Sequence, residues 1–216
     1  MRLILLGAPG SGKGTQADLM KEFYKVEKLS TGDLLRNEIK MGTDLGQEAQ
    51  TYMNAGELVP DKIMLGIIEH KAEMFKEKDT GFILDGFPRT LAQARGLKDS
   101  LHRIGMDLDA ALHIDVPEPE LIRRLSSRWT CRSCQGIFSY PDDRPENTPC
   151  SQCGGQLYQR DDDKKDTVLR RMNVYIDKTL PLLTFYRQEG LYRAVDGQGQ
   201  IQEIFSRIKS ALNDAL

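Results

Sequence analysis

Four apolar residues, Leu3-Ile4-Leu5-Leu6, run without a polar break and give way to glycine at position 7. A short unbroken run bounded by a turn signal predicts a strand buried on both faces. The spacing then changes. From Lys13 through Ala17, Leu19, Met20 and Phe23 the apolar positions recur at helical intervals and predict the first helix. Residues 30–59 turn polar, with helical stretches at 33–40 and 45–54 punctuated by Gly42, Gly46 and Gly56. No strand is expected there, and the segment reads as a small helical insertion. A helix over 61–78 offers Ile63, Leu65, Ile67, Ile68 and Phe75 for burial. Phe82-Ile83-Leu84 is a short buried strand ending at Asp85, and 110–116 is the next strand, stopped by Pro117. A helix from Glu118 carries Leu121, Ile122 and Leu125. A long helix resumes near Asp166, with Val168, Met172, Tyr175 and Ile176 three and four apart, and Pro181 should kink or break it. Tyr192-Arg193-Ala194-Val195 is the last strand. Ile201, Ile204, Phe205, Ile208 and Leu212 give the terminal helix one apolar face.

Strands separated by helices imply an α/β fold, a parallel sheet covered on both faces. In such sheets ligands bind outside the carboxyl ends of the strands. Gly7, Asp85 and Asp196 should therefore converge on one crevice.

The length of 216 residues suits one α/β domain carrying insertions, or a domain and a half. The charged fraction of 29% and net charge of -2 leave no global basic field to draw the chain to nucleic acid or anionic lipid. No stretch approaches the roughly 20 apolar residues of a membrane span. The opening apolar run leads straight into glycine and is not a secretory signal, so a cytoplasmic protein is expected.

The glycine segment carries the first chemistry. Gly7-Ala8-Pro9-Gly10-Ser11-Gly12-Lys13-Gly14-Thr15 stands between a strand and a helix, as a phosphate-binding loop must. Its glycines let backbone N–H groups converge on an anion, and the helix N-terminus adds positive dipole and unpaired donors. Lys13 would reach the outer phosphates, with a hydroxyl near Mg²⁺. The general pattern has Ser or Thr directly after the lysine; here Gly14 intervenes and Thr15 follows. The plainer alternative is a glycine-rich turn with no ligand.

All four cysteines fall in one segment poor in helical periodicity, residues 128–160. Cys131 and Cys134 form one CxxC pair, Cys150 and Cys153 another, with fifteen residues between them. That spacing matches a zinc ribbon, and four thiolates make a closed structural site. Two disulfides, four free thiols, or iron in the same ligand set are the alternatives. A metal-stapled flap hinged beside a phosphate site would keep water from a transferring group.

Phosphoryl transfer is mostly positioning and charge stabilisation. Arg36 lies in the helical insertion, Arg89 follows Asp85-Gly86-Phe87-Pro88, Arg124 and Arg128 precede the flap, Arg160 closes it, and Arg171 sits on the next helix. Arg124 and Arg128, four apart, should share a helix face. Taken singly, each arginine reads more readily as a solvated surface residue than as a site residue. Asp85 ends its strand where a Mg²⁺-associated acid would stand, or it caps a turn. Ser30-Thr31-Gly32-Asp33 reads as a helix N-cap that can also present donors to an anion. His113 is expected in the core, and Trp129 is expected to pack at the flap; neither is assigned a function.

Taken together, these residues resemble the adenylate kinase family, in its bacterial long-lid form with a zinc-binding lid. The carriers are the segment 7–15, Ser30-Thr31-Gly32-Asp33, Asp85-Gly86-Phe87-Pro88-Arg89 with Gln93, Arg124 with Arg128, the four cysteines, and Arg160-Asp161-Asp162-Asp163 with Arg171. The resemblance covers essentially the whole chain. It implies the P-loop nucleoside monophosphate kinase fold, with a core of residues 1–29, 60–127 and 162–216, an NMP-binding insertion of 30–59 and a lid of 128–161. It also implies the Mg²⁺-dependent reaction ATP + AMP ⇌ 2 ADP in a monomer. Gly10, Ser11, Gly12, Lys13, Gly14 and Thr15 would cradle the ATP phosphates, with Arg124, Arg128, Ile137, Phe138 and Gly199 also on ATP. Thr31, Arg36, Glu57, Leu58, Val59, Gly86, Phe87, Pro88, Arg89 and Gln93 would hold AMP, Gln93 reading the adenine edge. Arg160 and Arg171 would bridge toward AMP and the transferred phosphoryl. Lys13, Arg89, Arg124, Arg128, Arg160 and Arg171 would form the catalytic set. Cys131, Cys134, Cys150 and Cys153 would hold structural Zn²⁺, and Asp85 would hold Mg²⁺ through water.

Three places depart from the family pattern. Asp161 makes three consecutive acids. Gln135-Gly136 replaces a common Gly-Arg. Ser139-Tyr140-Pro141-Asp142-Asp143 replaces a Phe-Asn-Pro-Pro stretch. Two rival readings differ in substrate or class. One is a UMP/CMP-type nucleoside monophosphate kinase, against which the long lid and the Thr31 and Gln93 pair argue. The other is an NTPase-linked zinc ribbon that binds nucleic acid. Against it, segment 131–153 offers only Arg132 and Arg144 as basic residues beside Asp142, Asp143 and Glu146, a poor phosphate-tracking surface.

Overall fold

The computed structural model describes residues 1–140 and 148–213, with only the backbone of Lys165. Pro141, Asp142, Asp143, Arg144 and Glu146 therefore lie outside the described residues. The chain opens with β1 (Arg2–Leu6) and α1 (Lys13–Tyr24), followed by β2 (Glu27–Ser30), α2 (Thr31–Met41), α3 (Asp44–Ala55) and α4 (Asp61–Glu77). Next come β3 (Phe82–Asp85), α5 (Leu91–Arg103), β4 (Ala110–Asp115) and α6 (Glu118–Ser126). The cysteine segment supplies β5 (Arg128–Cys131), β6 (Ile137–Ser139) and β7 (Leu157–Tyr158). A 3₁₀ turn at Asp161–Asp163, α7 (Lys165–Val174), a π-turn at Tyr175–Thr179, α8 (Pro181–Gln188), β8 (Tyr192–Asp196) and α9 (Ile201–Asn213) complete the order.

β2, β3, β1, β4 and β8 form one parallel sheet in that spatial order. The apolar run of β1 splits between two cores: Ile4 and Leu6 join Phe82, Leu84, Leu97 and Tyr186 on one face, while Leu3 and Leu5 join Ile83, Leu112, Met20 and Ile208 on the other. Each fully buried Leu or Ile contributes about 1.5–3 kcal/mol, so this central strand is stiff, and the loop leaving it is held from below. The chain switches direction across the sheet at β1, which places the glycine loop at the topological switch point where open α/β sheets bind ligands.

β5, β6 and β7 make a separate antiparallel sheet in the order β6-β5-β7. Its small core is Cys131, Cys150 and Leu157, with Trp129, Phe138 and Tyr140 packed against it.

Several elements differ from expectation. β2 holds one buried apolar residue, Leu29, and exists because β3 offers it an edge, with Ser30 in register beside Asp85. α5 starts where the Thr90 hydroxyl accepts from the Gln93 N–H at 3.1 Å, and buries Ala94, Leu97 and Leu101. The long helix yields before its proline rather than at it. Pro181 begins α8, and the Leu180 N–H reaches the Tyr175 carbonyl at 2.8 Å, an i to i−5 bond that widens the turn. Ile176, Ile122 and Ile201 sit on exposed faces rather than in the core. Arg124 and Arg128 do not share a helix face, because α6 ends at Ser126 and Arg128 begins β5.

Candidate active site

The phosphate loop takes its shape from glycine. Gly10 and Gly12 have φ of 84° and 90°, a region that L side chains rarely enter, and a Cβ on Gly10 would lie 2.9 Å from Leu125 Cγ. Lys13 opens α1 and folds its ammonium over the loop, donating to the carbonyls of Gly7 at 2.7 Å and Ala8 at 2.9 Å. Burial pulls its pKa down to about 8, with Asp85 opposing and Arg89 adding to the fall. Asp85 ends β3 alongside; its Oδ2 would stand 3.5 Å from a Cβ on Gly14.

A cleft of about 1170 Å³ opens above this loop. Its walls bring together every nucleotide-site residue named from the sequence: Gly10 to Thr15, Thr31, Arg36, Glu57 to Val59, Asp85 to Arg89, Gln93, Arg124, Arg128, Ile137, Phe138, Arg160, Arg171 and Gly199. Asp196 is the exception to the expected convergence. Its carboxylate turns away, accepting from the Gln198 N–H at 2.9 Å and facing Arg207 at 3.7 Å.

The arginines are held in two ways. Arg128 is anchored by two hydrogen bonds to Asp163, whose side chain is 1% exposed; burial works against the Arg128 charge, but that pairing raises its pKa. Arg171 donates to the Asp162 carbonyl at 2.7 Å and pairs with the Asp162 and Asp163 carboxylates at 3.0 and 3.2 Å. Burial would raise the Asp162 pKa, but Arg171, Arg36, Arg128 and Arg160 outweigh it and hold that carboxyl below its ordinary range. Arg124 donates to Glu120 at 2.7 Å and to the Gly197 carbonyl at 3.0 Å.

Arg89 and Arg160 are different. Among the described residues neither has a carboxylate within salt-bridge distance. Arg89 donates to the Gly86 carbonyl at 2.7 Å, and Arg160 to the Thr130 hydroxyl at 3.0 Å. Burial brings both down to about 10; neighbouring positive charge adds to this, chiefly Arg171 for Arg89 and Arg36 for Arg160. Asp85 and Asp162 offset this only in part for Arg89, as do Asp162 and Asp163 for Arg160; a desolvated cation with no paired carboxylate is costly, and an anion in the cleft relieves it.

On the insertion side, the Thr31 hydroxyl donates to the Gly86 carbonyl at 3.0 Å, and Arg36 pairs with Asp33 at 2.5 Å. The Gln93 carboxamide is fixed from both ends: its oxygen accepts from the Arg89 N–H at 2.7 Å and its nitrogen donates to Asp61 at 2.7 Å. The π-turn contributes Thr179, whose hydroxyl donates to the Arg89 carbonyl at 2.9 Å. Asp61, Glu120, Asp162, Asp163 and Thr179 thus shape the site, and sequence reasoning gave them no role as partners. A four-residue separation on α6 could have flagged Glu120 with Arg124; the others are tertiary pairings.

The four cysteine sulfurs lie within 4.8 Å of one another, with Cys131 and Cys153 at 3.5 Å and Cys134 and Cys150 at 3.7 Å. A disulfide needs about 2.05 Å. Four sulfurs placed tetrahedrally at about 2.3 Å from a common ion stand about 3.8 Å apart. The cluster therefore fits a single metal ion and not two disulfides. Backbone N–H groups of Cys134 and Ser133 pull the Cys131 thiol down, while the Cys131, Cys150 and Cys153 sulfurs push Cys134 up, a mutual repulsion of thiolates that a shared cation would relieve. His113 sits in the core, its Nδ1 3.0 Å from the Tyr192 hydroxyl.

A parallel sheet with a glycine loop at its switch point, a helical insertion on one side, a cysteine-clustered lid on the other and arginines between them defines a P-loop nucleoside monophosphate kinase fold. The adenylate kinase family model matches residues 5–191. Relatives similar along the whole length are adenylate kinases from Thermodesulfovibrio yellowstonii, 47% identical over 98% of this chain and 99% of the relative, and from Archaeoglobus fulgidus, 45% identical over 98% of each. The adenylate kinase of Syntrophotalea carbinolica is 45% identical over all of both chains. The chain belongs to the adenylate kinase family.

Proposed function

We infer that this chain is a phosphotransferase that interconverts ATP and AMP with two ADP, maintaining the balance of adenine nucleotides. The observation that carries the reading is the set of three cations at one cleft, Lys13, Arg89 and Arg160, that have no carboxylate partner among the described residues while Arg128 and Arg171 are locked to aspartates. Phosphates of two nucleotides supply the missing negative charge.

In this reading the 10–15 loop and Lys13 hold the donor phosphates, with Arg124, Arg128, Ile137, Phe138 and Gly199 along the rest of ATP. Thr31, Arg36, residues 57–59, residues 86–89 and Gln93 hold AMP, the doubly anchored Gln93 carboxamide facing the base. Arg160 and Arg171 reach the phosphoryl in flight. Its charge spreads over three oxygens, and fixed cations aimed there stabilise it without reorganising. Family members work with Mg²⁺ bound to ATP. Asp85, beside Gly14, would hold that ion through water, and the ion would neutralise charge on the β- and γ-phosphates. Cys131, Cys134, Cys150 and Cys153 would hold Zn²⁺ as a closed structural site, with no open position for chemistry.

The residues 30–59, 128–161 and the remainder then act as acceptor clamp, lid and core. We read the enzyme as a cytoplasmic monomer without nucleic-acid or membrane partners. Four thiols rather than disulfides suit a reducing compartment, and no helix among the described residues is long and apolar enough to cross a membrane. An acceptor panel with ATP as donor tests the substrate assignment. AMP should be phosphorylated at least ten times faster than UMP or CMP, a margin reachable by one hydrogen-bonding residue; UMP faster than AMP would overturn it.

A further inference from the structure

The loop between β8 and α9 is short, polar at its tip and bounded by Gly197 and Gly199. Gly199 lines the cleft, as do Ile201 and Ile204 at the start of α9. The exposed Gln198 and Gln200 side chains add no anchorage, and the loop's own backbone is pinned at three points: the Gly197 N–H donates to the Asp115 carbonyl at 2.7 Å, the Gln198 N–H to the Asp196 carboxylate at 2.9 Å and the Gln200 N–H to Glu203 at 2.8 Å. Three side chains from three helices then tie its carbonyls to the body of the fold. From α9, Arg207 Nη1 donates to the Asp196 carbonyl at 2.9 Å and the Gln198 carbonyl at 2.5 Å, and faces the Asp196 carboxylate at 3.7 Å. From α6, Arg124 donates to the Gly197 carbonyl at 3.0 Å. From α1, the buried Gln16 carboxamide donates to the Ile201 carbonyl at 3.0 Å. Gln16 is also tied to the phosphate loop, its N–H bonded to the Gly12 carbonyl at 3.0 Å. It therefore spans the distance from the phosphate end of the cleft to the start of α9.

Arg207 does not line the cleft, and its guanidinium nitrogen would stand 3.7 Å from a Cβ on Gly199. Its side chain is 40% exposed, and among the described residues its hydrogen bonds and ion pair go to residues 196 and 198. Such a residue contributes little to the core and much to the geometry of one loop.

We propose that Arg207 and Gln16 are positioning residues of the donor-base site: with Arg124 they fix the 196–201 loop against which the donor's base packs, and so set the affinity for ATP and the preference among donor bases. The proposal rests on the reading that Gly199 faces the base of ATP. Asp196 takes its place here, as the acid that orients Arg207 and closes the turn through Gln198, rather than as a group in the crevice.

Steady-state kinetics of the full chain, with ATP and AMP varied separately and GTP as an alternative donor, test it. Arg207→Met should raise KM for ATP about tenfold, the loss expected when two hydrogen bonds to a positioned loop disappear. Its kcat and KM for AMP should stay within about twofold, because acceptor binding and transfer do not use this loop. Arg207→Lys should recover part of the affinity, and the preference for ATP over GTP should narrow in Arg207→Met. Gln16→Met, which keeps the shape of the buried side chain, should show the same selective effect. An unchanged KM for ATP in both Met variants overturns the proposal, as does a parallel rise in both KM values with loss of kcat. Gly199→Ala separates the two levels. If it raises KM for ATP while Arg207→Met and Gln16→Met do not, the bracing role alone fails. If all three leave it unchanged, the placement of the base at this loop fails with it.

Discussion

In the proposed reading, Arg89 and Arg160 take their roles from what they lack. Arg128 and Arg171 are neutralised by Asp163 and Asp162, so their positions are set before any nucleotide arrives. Arg89 and Arg160 meet only a carbonyl and a hydroxyl in their hydrogen bonds, and burial lowers both. Arg89→Ala is expected to slow transfer by about 10³–10⁵, the range for an arginine that stabilises transferring phosphoryl charge. The melting temperature of that variant should hold or rise, since the change removes a desolvated cation that has no carboxylate within salt-bridge distance. Stopped-flow turnover and a thermal melt check both, and near-normal turnover contradicts the role. Asp161, by contrast, holds none of these arginines. It is exposed and pairs with Lys164 at 2.9 Å, a surface contact worth about 0–1 kcal/mol.

Among the elements, the cysteine-bearing β5–β6–β7 sheet is the one whose folding, on the proposed reading, draws on a bound metal. Its core is two cysteines and Leu157 with three flanking aromatics, too little to hold a three-stranded sheet unaided. Removing metal from the Cys131, Cys134, Cys150 and Cys153 cluster with a chelator should lower the melting temperature, while enzyme that remains folded keeps most of its turnover. Immediate loss of activity with circular dichroism unchanged contradicts a structural metal. The elements also show what was legible before the structure. Unbroken apolar runs or helical spacing announced β1, α1, α4, β3, β4, β8 and α9, because burial within a sheet or on a helix face leaves a mark in the sequence. β2 left none: Glu27, Lys28 and Ser30 are polar, and only the edge of β3 makes Leu29 part of a strand. α5 begins on a cap rather than an apolar repeat, and β5 to β7 form around sulfur positions. For the site, loop, cysteine and arginine positions were readable from motif and spacing. Their partners were not: Asp163 lies 35 residues from Arg128, Asp61 lies 32 from Gln93, and Thr179 lies 90 from Arg89. Contacts that long in sequence carry no local signature.

For the molecule as a whole, the parallel sheet places the glycine loop at its centre, the α2–α3 insertion reaches over one side, and the β5–β6–β7 lid stands over the other. All three border a single cleft of about 1170 Å³, large enough for two nucleotides meeting at their phosphates. Joining donor and acceptor in one cavity is what makes transfer to a nucleotide, rather than to water, the outcome of ATP binding. The direct test is a coupled assay for ADP with ATP, AMP and Mg²⁺, each omitted in turn. The account predicts two ADP formed for each AMP consumed, and no ADP above background when AMP is left out. ADP released at a comparable rate from ATP alone would show a hydrolase, and would contradict the two-nucleotide site.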